Sequence, residues 1–316
     1  MEKVSNAQDA RHWAAINEAS FVGGMRLLFW VCRIFGRWPF RLVLYPVLLW
    51  YVATQGRARR ASSAYLARVG APHGFLGVVR HFGAFAESIL DKMLLWGGLF
   101  DFSTVSLHGG EPLAEMIAGR RGALLVCAHL GNLDLCRALS LSTPNLKVTV
   151  LVHTRHAQAF NKMLASLDPR SELNLMQVTD MTPAMAMQLS ERIGQGEFIV
   201  IAGDRVPVSP SPRVVMAPFL GRDAAFPVGP YVMASVLGCP VYTMFAVRQG
   251  ARHELHFACL RDRVLLPRAD RDAALRELAA DFAAQLEHHV RRAPLEWFNF
   301  YDFWHTPGSE RPDAVQ

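Results

Sequence analysis

From about residue 70 onward, short apolar runs bounded by turn residues alternate with longer stretches of helical periodicity. The runs are Ala123–Ala128, Val148–Val152, Phe198–Ala202, Val241–Val247 and Leu255–Cys259. Helical spacing covers Phe75–Trp96, Asn132–Leu141, Ala157–Leu167, Pro183–Ile193, Pro230–Leu237 and Ala273–Val290. Strands that are apolar on both faces must be covered on both faces, so this alternation predicts an α/β fold with a mostly parallel central sheet flanked by helices. No internal repeat or low-complexity linker interrupts it. We expect an α/β domain over residues 71–316, preceded by a distinct segment over residues 1–70.

That first segment differs in charge. Between Ala19 and Ala86 there is no acidic residue, while nine arginines (Arg26, Arg33, Arg37, Arg41, Arg57, Arg59, Arg60, Arg68 and Arg80) lie among Trp, Phe and Leu. The whole chain has a net charge of +6, so this stretch carries more than the net excess. Spacings of seven, four and four put Arg26, Arg33, Arg37 and Arg41 on one helical stripe. Guanidinium groups on lipid phosphates with rings in the acyl boundary is the pattern of a helix lying in an anionic membrane surface. The plainer alternative is a helical hairpin packed on the core with solvated arginines. The run Leu42–Thr54 has thirteen residues with Pro46 inside it, against roughly 20 for a spanning helix, which leaves a single tilted span as a weaker alternative. A secretory signal is not expected, because the apolar stretch is studded with Arg and no small-residue cleavage site follows.

The five cysteines are scattered and form no CxxC pair, which points to reduced thiols in a cytosol-facing protein and makes zinc unexpected. There is no GxSxG elbow, GxGxxG turn or Walker loop, so covalent hydrolase chemistry and nucleotide cofactors are not expected. The basic stretch is too apolar for a nucleic-acid surface and lacks the base-stacking modules of such proteins.

Open α/β sheets collect reactive groups just beyond the carboxyl ends of their strands. His129 follows the first run in CAHLGNLDLC, Arg155 follows the second in LVHTRHAQAFN, and Asp204 with Arg205 follow the third in IAGDRVP. Asn132 is a suitable N-cap for the next helix, and Asp134 falls in that helix's first turn. A carboxylate on one imidazole nitrogen fixes the tautomer, so that the other nitrogen can take a proton from an attacking hydroxyl or amine. A His and an Asp five apart also arise by chance, as a surface His beside an Asp that complements the helix dipole.

The surroundings of this pair resemble the bacterial lipid A biosynthesis acyltransferases, the late acyltransferases related to the His-x4-Asp glycerolipid enzymes. HLGNLD stands where that family has HxGNWE or HxGNWD, with Leu133 in place of the common Trp. VHTRHAQAFNKML is similar to a family block at Arg155 and Asn161. The order Asp204, Phe219, Gly221, Gly229 and Pro230 is similar too, as is the ending at Pro294 and Trp297. The resemblance covers roughly residues 20–305.

It implies an acyltransferase at the cytoplasmic face of a bacterial inner membrane. The donor would be an acyl thioester on acyl carrier protein or coenzyme A. The acceptor would be a hydroxyl or amine of a lipid such as a lipid A precursor, an aryl polyene lipid or an aminolipid. No metal or cofactor is implied. By the same resemblance His129 is the general base, oriented by Asp134, and Arg155 is the candidate oxyanion partner. Asn132 belongs to the substrate-binding set, and Asp204 with Arg205 forms an ion pair beside the site. A thioesterase using water, or a non-catalytic lipid-binding protein of the same fold, are the alternatives. The aromatics Trp297, Phe298, Phe300, Tyr301, Phe303 and Trp304 line an acyl groove, touch the membrane or pack as a cap. His288 and His289 read as solvated.

Overall fold

The computed structural model describes residues 30–152, 175–177, 182–206 and 212–305. Arg26, Arg155, Asn161 and the helical stretch expected over Ala157–Leu167 lie outside the described residues.

A seven-stranded sheet forms the centre, in the order β1-β9-β8-β2-β5-β3-β4. Its strands are β1 (Val105–His108), β2 (Leu124–Cys127), β3 (Lys147–Val152), β4 (Leu175–Gln177), β5 (Glu197–Ala202), β8 (Val241–Gln249) and β9 (Arg252–Arg261). The pairs β2–β5, β2–β8, β3–β5, β3–β4 and β1–β9 are parallel, and only β8–β9 is antiparallel. The mostly parallel sheet expected from the sequence is therefore present, with a reversed edge of β9 and β1. The antiparallel step follows from the short turn at Gly250, whose φ of +64° suits glycine; a parallel neighbour would have needed a crossover.

All five expected strands form. Four were missed. Three of those are short or expose alternate residues: β1, β4 and β6 (Val214–Phe219). The fourth, β7 (Arg222–Pro227), pairs with β6 in a separate hairpin. Its two-residue turn, Leu220 and Gly221, has positive φ at both positions (51° and 78°), the geometry that matches the twist of a tight hairpin.

The helices are α1 (Trp38–Thr54), α2 (Gly56–Val69), α3 (Phe75–Trp96), α4 (Glu111–Ala118), α5 (Asp134–Ser142), α6 (Pro183–Gly194), α7 (Gly229–Leu237) and α8 (Arg271–Arg292), with residues 30–35 also helical. Pro183 and Pro230 sit in the first turns of α6 and α7, where a missing N–H costs nothing. One apolar layer lies between the sheet, α8 and the β6–β7 hairpin, with Phe219, Phe226, Phe245, Phe282 and Trp297 fully buried. A second fills the opposite face around Leu125, Phe198, Leu255 and Trp96.

Residues before position 70 share the first layer. Val52, Tyr65 and Leu66 belong to it, and the Tyr65 hydroxyl donates to the Pro294 carbonyl at 2.7 Å. The arginine stripe is broken at Gly36, whose φ of +72° ends the helical segment of residues 30–35 before α1 begins. Arg37 and Arg41 then turn inward onto α3. Arg37 meets Asp91 at 2.5 Å and Arg41 makes a fork to Glu87 at 2.9 and 3.0 Å. Arg41 is thus an ion-pair partner within the protein. The apolar face of α1 is left outward: Trp38, Leu42, Val43, Val47 and Trp50 are exposed. No described helix is long and apolar enough to cross a membrane.

Candidate active site

The site is set by strand register. In the parallel pair β2–β5, Cys127 lies opposite Ala202. Two residues further along each strand come His129 and Asp204, so the register alone brings them side by side. The Gly203 N–H donates to the Cys127 carbonyl at 2.8 Å and prolongs the pairing to that point. Gly203 itself is required by space, since a Cβ there would fall 2.6 Å from Val126 Cγ1.

One carboxylate then holds His129 twice. Asp204 Oδ1 meets the imidazole Nδ1 at 2.8 Å, and Asp204 Oδ2 accepts the backbone N–H of the same residue at 2.8 Å. The Trp297 indole N–H donates to Oδ2 at 2.9 Å. Asp204 is 2% exposed, whereas the His129 side chain is 36% exposed, so the carboxylate of the pair is buried and the imidazole partly accessible. Burial by itself raises the Asp204 carboxyl. The charge and hydrogen bonds of His129, with the Trp297 N–H, outweigh it and hold this group below the ordinary carboxylate range. With Nδ1 on Asp204, Nε2 is the imidazole nitrogen that this carboxylate does not engage.

Asp134, the expected orienting residue, is engaged elsewhere. It opens α5 with its backbone N–H on Asn132 Oδ1 at 3.1 Å. Its carboxylate meets Arg137, one turn along the same helix, at 2.7 Å, and Lys92 of α3 at 3.2 Å. Burial raises this carboxyl too, and Lys92 and Arg137 pull it below its ordinary value. The carboxylate on the imidazole is therefore that of Asp204, and the correction has a simple origin: a parallel register puts strand ends together, while two cations already claim the helix-start acid.

The expected Asp204–Arg205 ion pair gives way for the same reason. Both Asp204 oxygens are occupied, and Arg205 Nη2 donates instead to the Phe298 carbonyl at 3.3 Å. Asn132 is buried beside His129 in the chain, and its Nδ2 has no hydrogen-bond partner among the described residues.

Sequence reasoning missed the part played by the C-terminal segment. Leu130 and Trp297 form an isolated antiparallel bridge. Around it, Gly131 N–H donates to Glu296 O at 2.9 Å and Phe298 N–H to His129 O at 2.8 Å. Gly131 has φ of +63°, and a Cβ would lie 2.3 Å from the Ala246 carbonyl, so this loop tolerates only glycine. Trp297 is held in turn by ring contacts with Tyr65 and Phe219 at 5.0 and 5.3 Å. His81, buried and neutral, has Nε2 at 2.9 Å from the Trp297 carbonyl and Nδ1 at 2.8 Å from Ser62; desolvation pushes its pKa down to about 4. The aromatic tail is thus mainly a packed cap, with one indole N–H that reaches the site.

Phe300, two residues past Phe298, stacks on Phe82 with centroids 4.2 Å apart and forms part of the wall of a cleft of about 450 Å³ between α1 and α3. Leu44, Leu48, Phe85 and Met93 complete a nearly all-apolar lining. A second cavity of about 650 Å³ presents Arg33, Arg37, Arg41, Arg248 and His253.

The family model of the bacterial lipid A biosynthesis acyltransferases matches residues 102–306, well over half of the chain. No curated protein matches it. This match makes the class specific: the protein is an acyltransferase. It belongs to the bacterial lipid A biosynthesis acyltransferase family.

Proposed function

We propose that the protein transfers a fatty acyl group from an acyl thioester, on acyl carrier protein or coenzyme A, to a hydroxyl or amine of a membrane lipid, with His129 as general base. The observation that carries this reading is the His129–Asp204 pair, anchored at Nδ1 with the His129 side chain partly exposed. The acceptor O–H or N–H gives its proton to Nε2 as its heteroatom attacks the thioester carbonyl carbon. Asp204 stabilises the imidazolium so formed. The tetrahedral intermediate collapses with breakage of the C–S bond, and the imidazolium returns the proton to the departing thiolate. The products are an ester or amide and a free thiol.

Arg155 is the proposed partner of the oxyanion, a role for a fixed cation or N–H donor. The apolar cleft beside Phe300 suits the acyl chain, being within the size range of ligand pockets. The exposed Trp38, Leu42, Val43 and Trp50 of α1 suit the acyl boundary of a membrane, and the arginine-lined cavity suits an anionic headgroup. This reading keeps the anionic membrane surface as a partner and puts the enzyme at the cytoplasmic face of the inner membrane.

The test is mass spectrometry of lipid extracts from cells making the wild-type protein or His129→Ala at equal membrane levels. The expected result is a lipid lacking one acyl chain in the variant, which identifies acceptor and chain length together. An unchanged lipidome overturns the His129 mechanism and favours a lipid-binding role. Release of free fatty acid by purified enzyme, undiminished when no acceptor is present, would instead establish a thioesterase.

A further inference from the structure

At the reversed edge of the sheet, β1 pairs with β9 in a register that sets His108 opposite His256 and Ser106 opposite Glu254. Residues opposite each other, and two apart along a strand, project from one face. The His108 and His256 rings stack with centroids 4.6 Å apart and planes 13° from parallel. Glu254 Oε2 lies 2.8 Å from His256 Nε2. One ligand-capable atom from each of His108, Glu254 and His256 falls within 4.8 Å of the other two. Ser106 Oγ is 3.1 Å from His108 Nε2, an outer contact of the kind that orients a metal-binding imidazole and leaves Nδ1 for the ion. From α8, the His289 ring packs 4.5 Å from that of His256, and its Nδ1 is buried with no hydrogen-bond partner among the described residues.

We propose that His108, Glu254 and His256 form a site for a zinc-class divalent cation, with His289 as an adjoining imidazole. Two or three imidazoles and one carboxylate are a donor set suited to zinc and its neighbours, and tetrahedral zinc places its ligand atoms about 3.3 Å apart. Closing from the observed separations takes side-chain rotation on a fixed backbone. The site joins the edge strand β1 to β9 and stands apart from the acyl-transfer machinery, which needs no metal in the mechanism above. The absence of sulfur pairs, which argued against zinc in the sequence, does not bear on a histidine and carboxylate set.

One group opposes the ion. Arg292 Nη2 donates to Glu254 Oε2 at 2.9 Å, and its Nη1 lies 3.4 Å from His256 Nε2. This guanidinium is the local counter-cation of Glu254, is partly exposed, and must swing away as the metal enters. It makes a specific demand on the experiment: removing it strengthens binding.

Zinc chloride is titrated by calorimetry into the full chain, free of any purification tag, and bound metal is counted after gel filtration. The wild-type protein is expected to hold one zinc per chain and to melt at higher temperature with zinc than with EDTA. His108→Ala and His256→Ala are expected to weaken binding by about tenfold or more and to abolish the zinc-dependent rise in melting temperature. Arg292→Ala is expected to tighten it, and His73→Ala, outside the cluster, to leave it unchanged. No uptake by the wild-type chain, or uptake indifferent to both His108→Ala and His256→Ala, overturns the site. Should either of those variants melt early in EDTA, Arg292→Ala decides the matter, since it keeps every ligand; failure to bind more tightly then counts against the proposal.

Discussion

Of the buried aspartates among the described residues, Asp134 and Asp204 are both held below the ordinary carboxylate range and both lie near the same histidine in the fold or the chain. They are built for different work. Asp134 sits between two permanent cations, Lys92 and Arg137. Asp204 touches no permanent cation. Its partners are an imidazole, a backbone N–H and an indole N–H. The contrast teaches that burial and a depressed pKa do not by themselves mark a catalytic carboxylate; the nature of the partner does.

Several variants sharpen that contrast. The largest effect is expected from Asp204→Asn, which keeps the shape but removes the charge that stabilises imidazolium. Acyl transfer should fall by about 10²–10⁴ in kcat, with KM little changed and the thermal melt close to wild type. Asp134→Asn should do the reverse. It leaves Lys92 and Arg137 without their anion and costs about 3–5 kcal/mol of stability, while the folded enzyme keeps kcat within about tenfold of wild type. A large kcat loss in Asp134→Asn with Asp204→Asn near normal would falsify the assignment of Asp204 as the orienting residue.

A third variant tests the segment that supplies Trp297. Glu296 is buried beside Arg248, with Asp91 and Glu87 near, and its pKa is pushed up to about 7, chiefly by desolvation. A raised acid binds its proton more tightly in the folded chain. Its contribution is therefore complete below the ordinary value near 4.5 and is lost as pH rises through about 7. Denaturant melts should show stability declining by up to about 3 kcal/mol from this group over that window, and Glu296→Gln should flatten the decline. The smallest effect is expected from Trp297→Phe, which deletes one N–H to Asp204 at a cost of about 2 kcal/mol. If the indole helps position Asp204, kcat should drop several-fold with an altered pH profile; a merely structural Trp would change the melt and leave the profile alone.

Much of this was legible in the sequence. The five apolar runs became five strands, and the three polar positions beyond them included both members of the His129–Asp204 pair. What could not be read was strand order. The separation of 75 residues between His129 and Asp204 means nothing until β2 and β5 are known to be neighbours in register, whereas the nearby Asp134 invites a local explanation. Acid-free charge patterning marked residues 19–86 as unusual, but the acids that Arg37 and Arg41 meet, Asp91 and Glu87, lie just past the end of that window. His289 read as solvated because helix periodicity among charges hides a single inward residue; the structure packs it against Phe245 and His256. Trp297 was recognised as part of an aromatic ending, and only the bridge to Leu130 shows that it completes the site.

That bridge has a consequence for how the enzyme comes into being. His129 and Asp204 are made before the indole that steadies Asp204 and before the backbone that holds the His129 carbonyl and the Gly131 N–H, which come from residues 296–298. A nascent chain that has finished β5 already contains both His129 and Asp204, but not the strap that fixes them. Until the ribosome has released that strap, Asp204 and the loop after β2 lack the contacts that hold them in place. A chain terminated before Trp297 would therefore carry His129 and Asp204 without the strap that joins them.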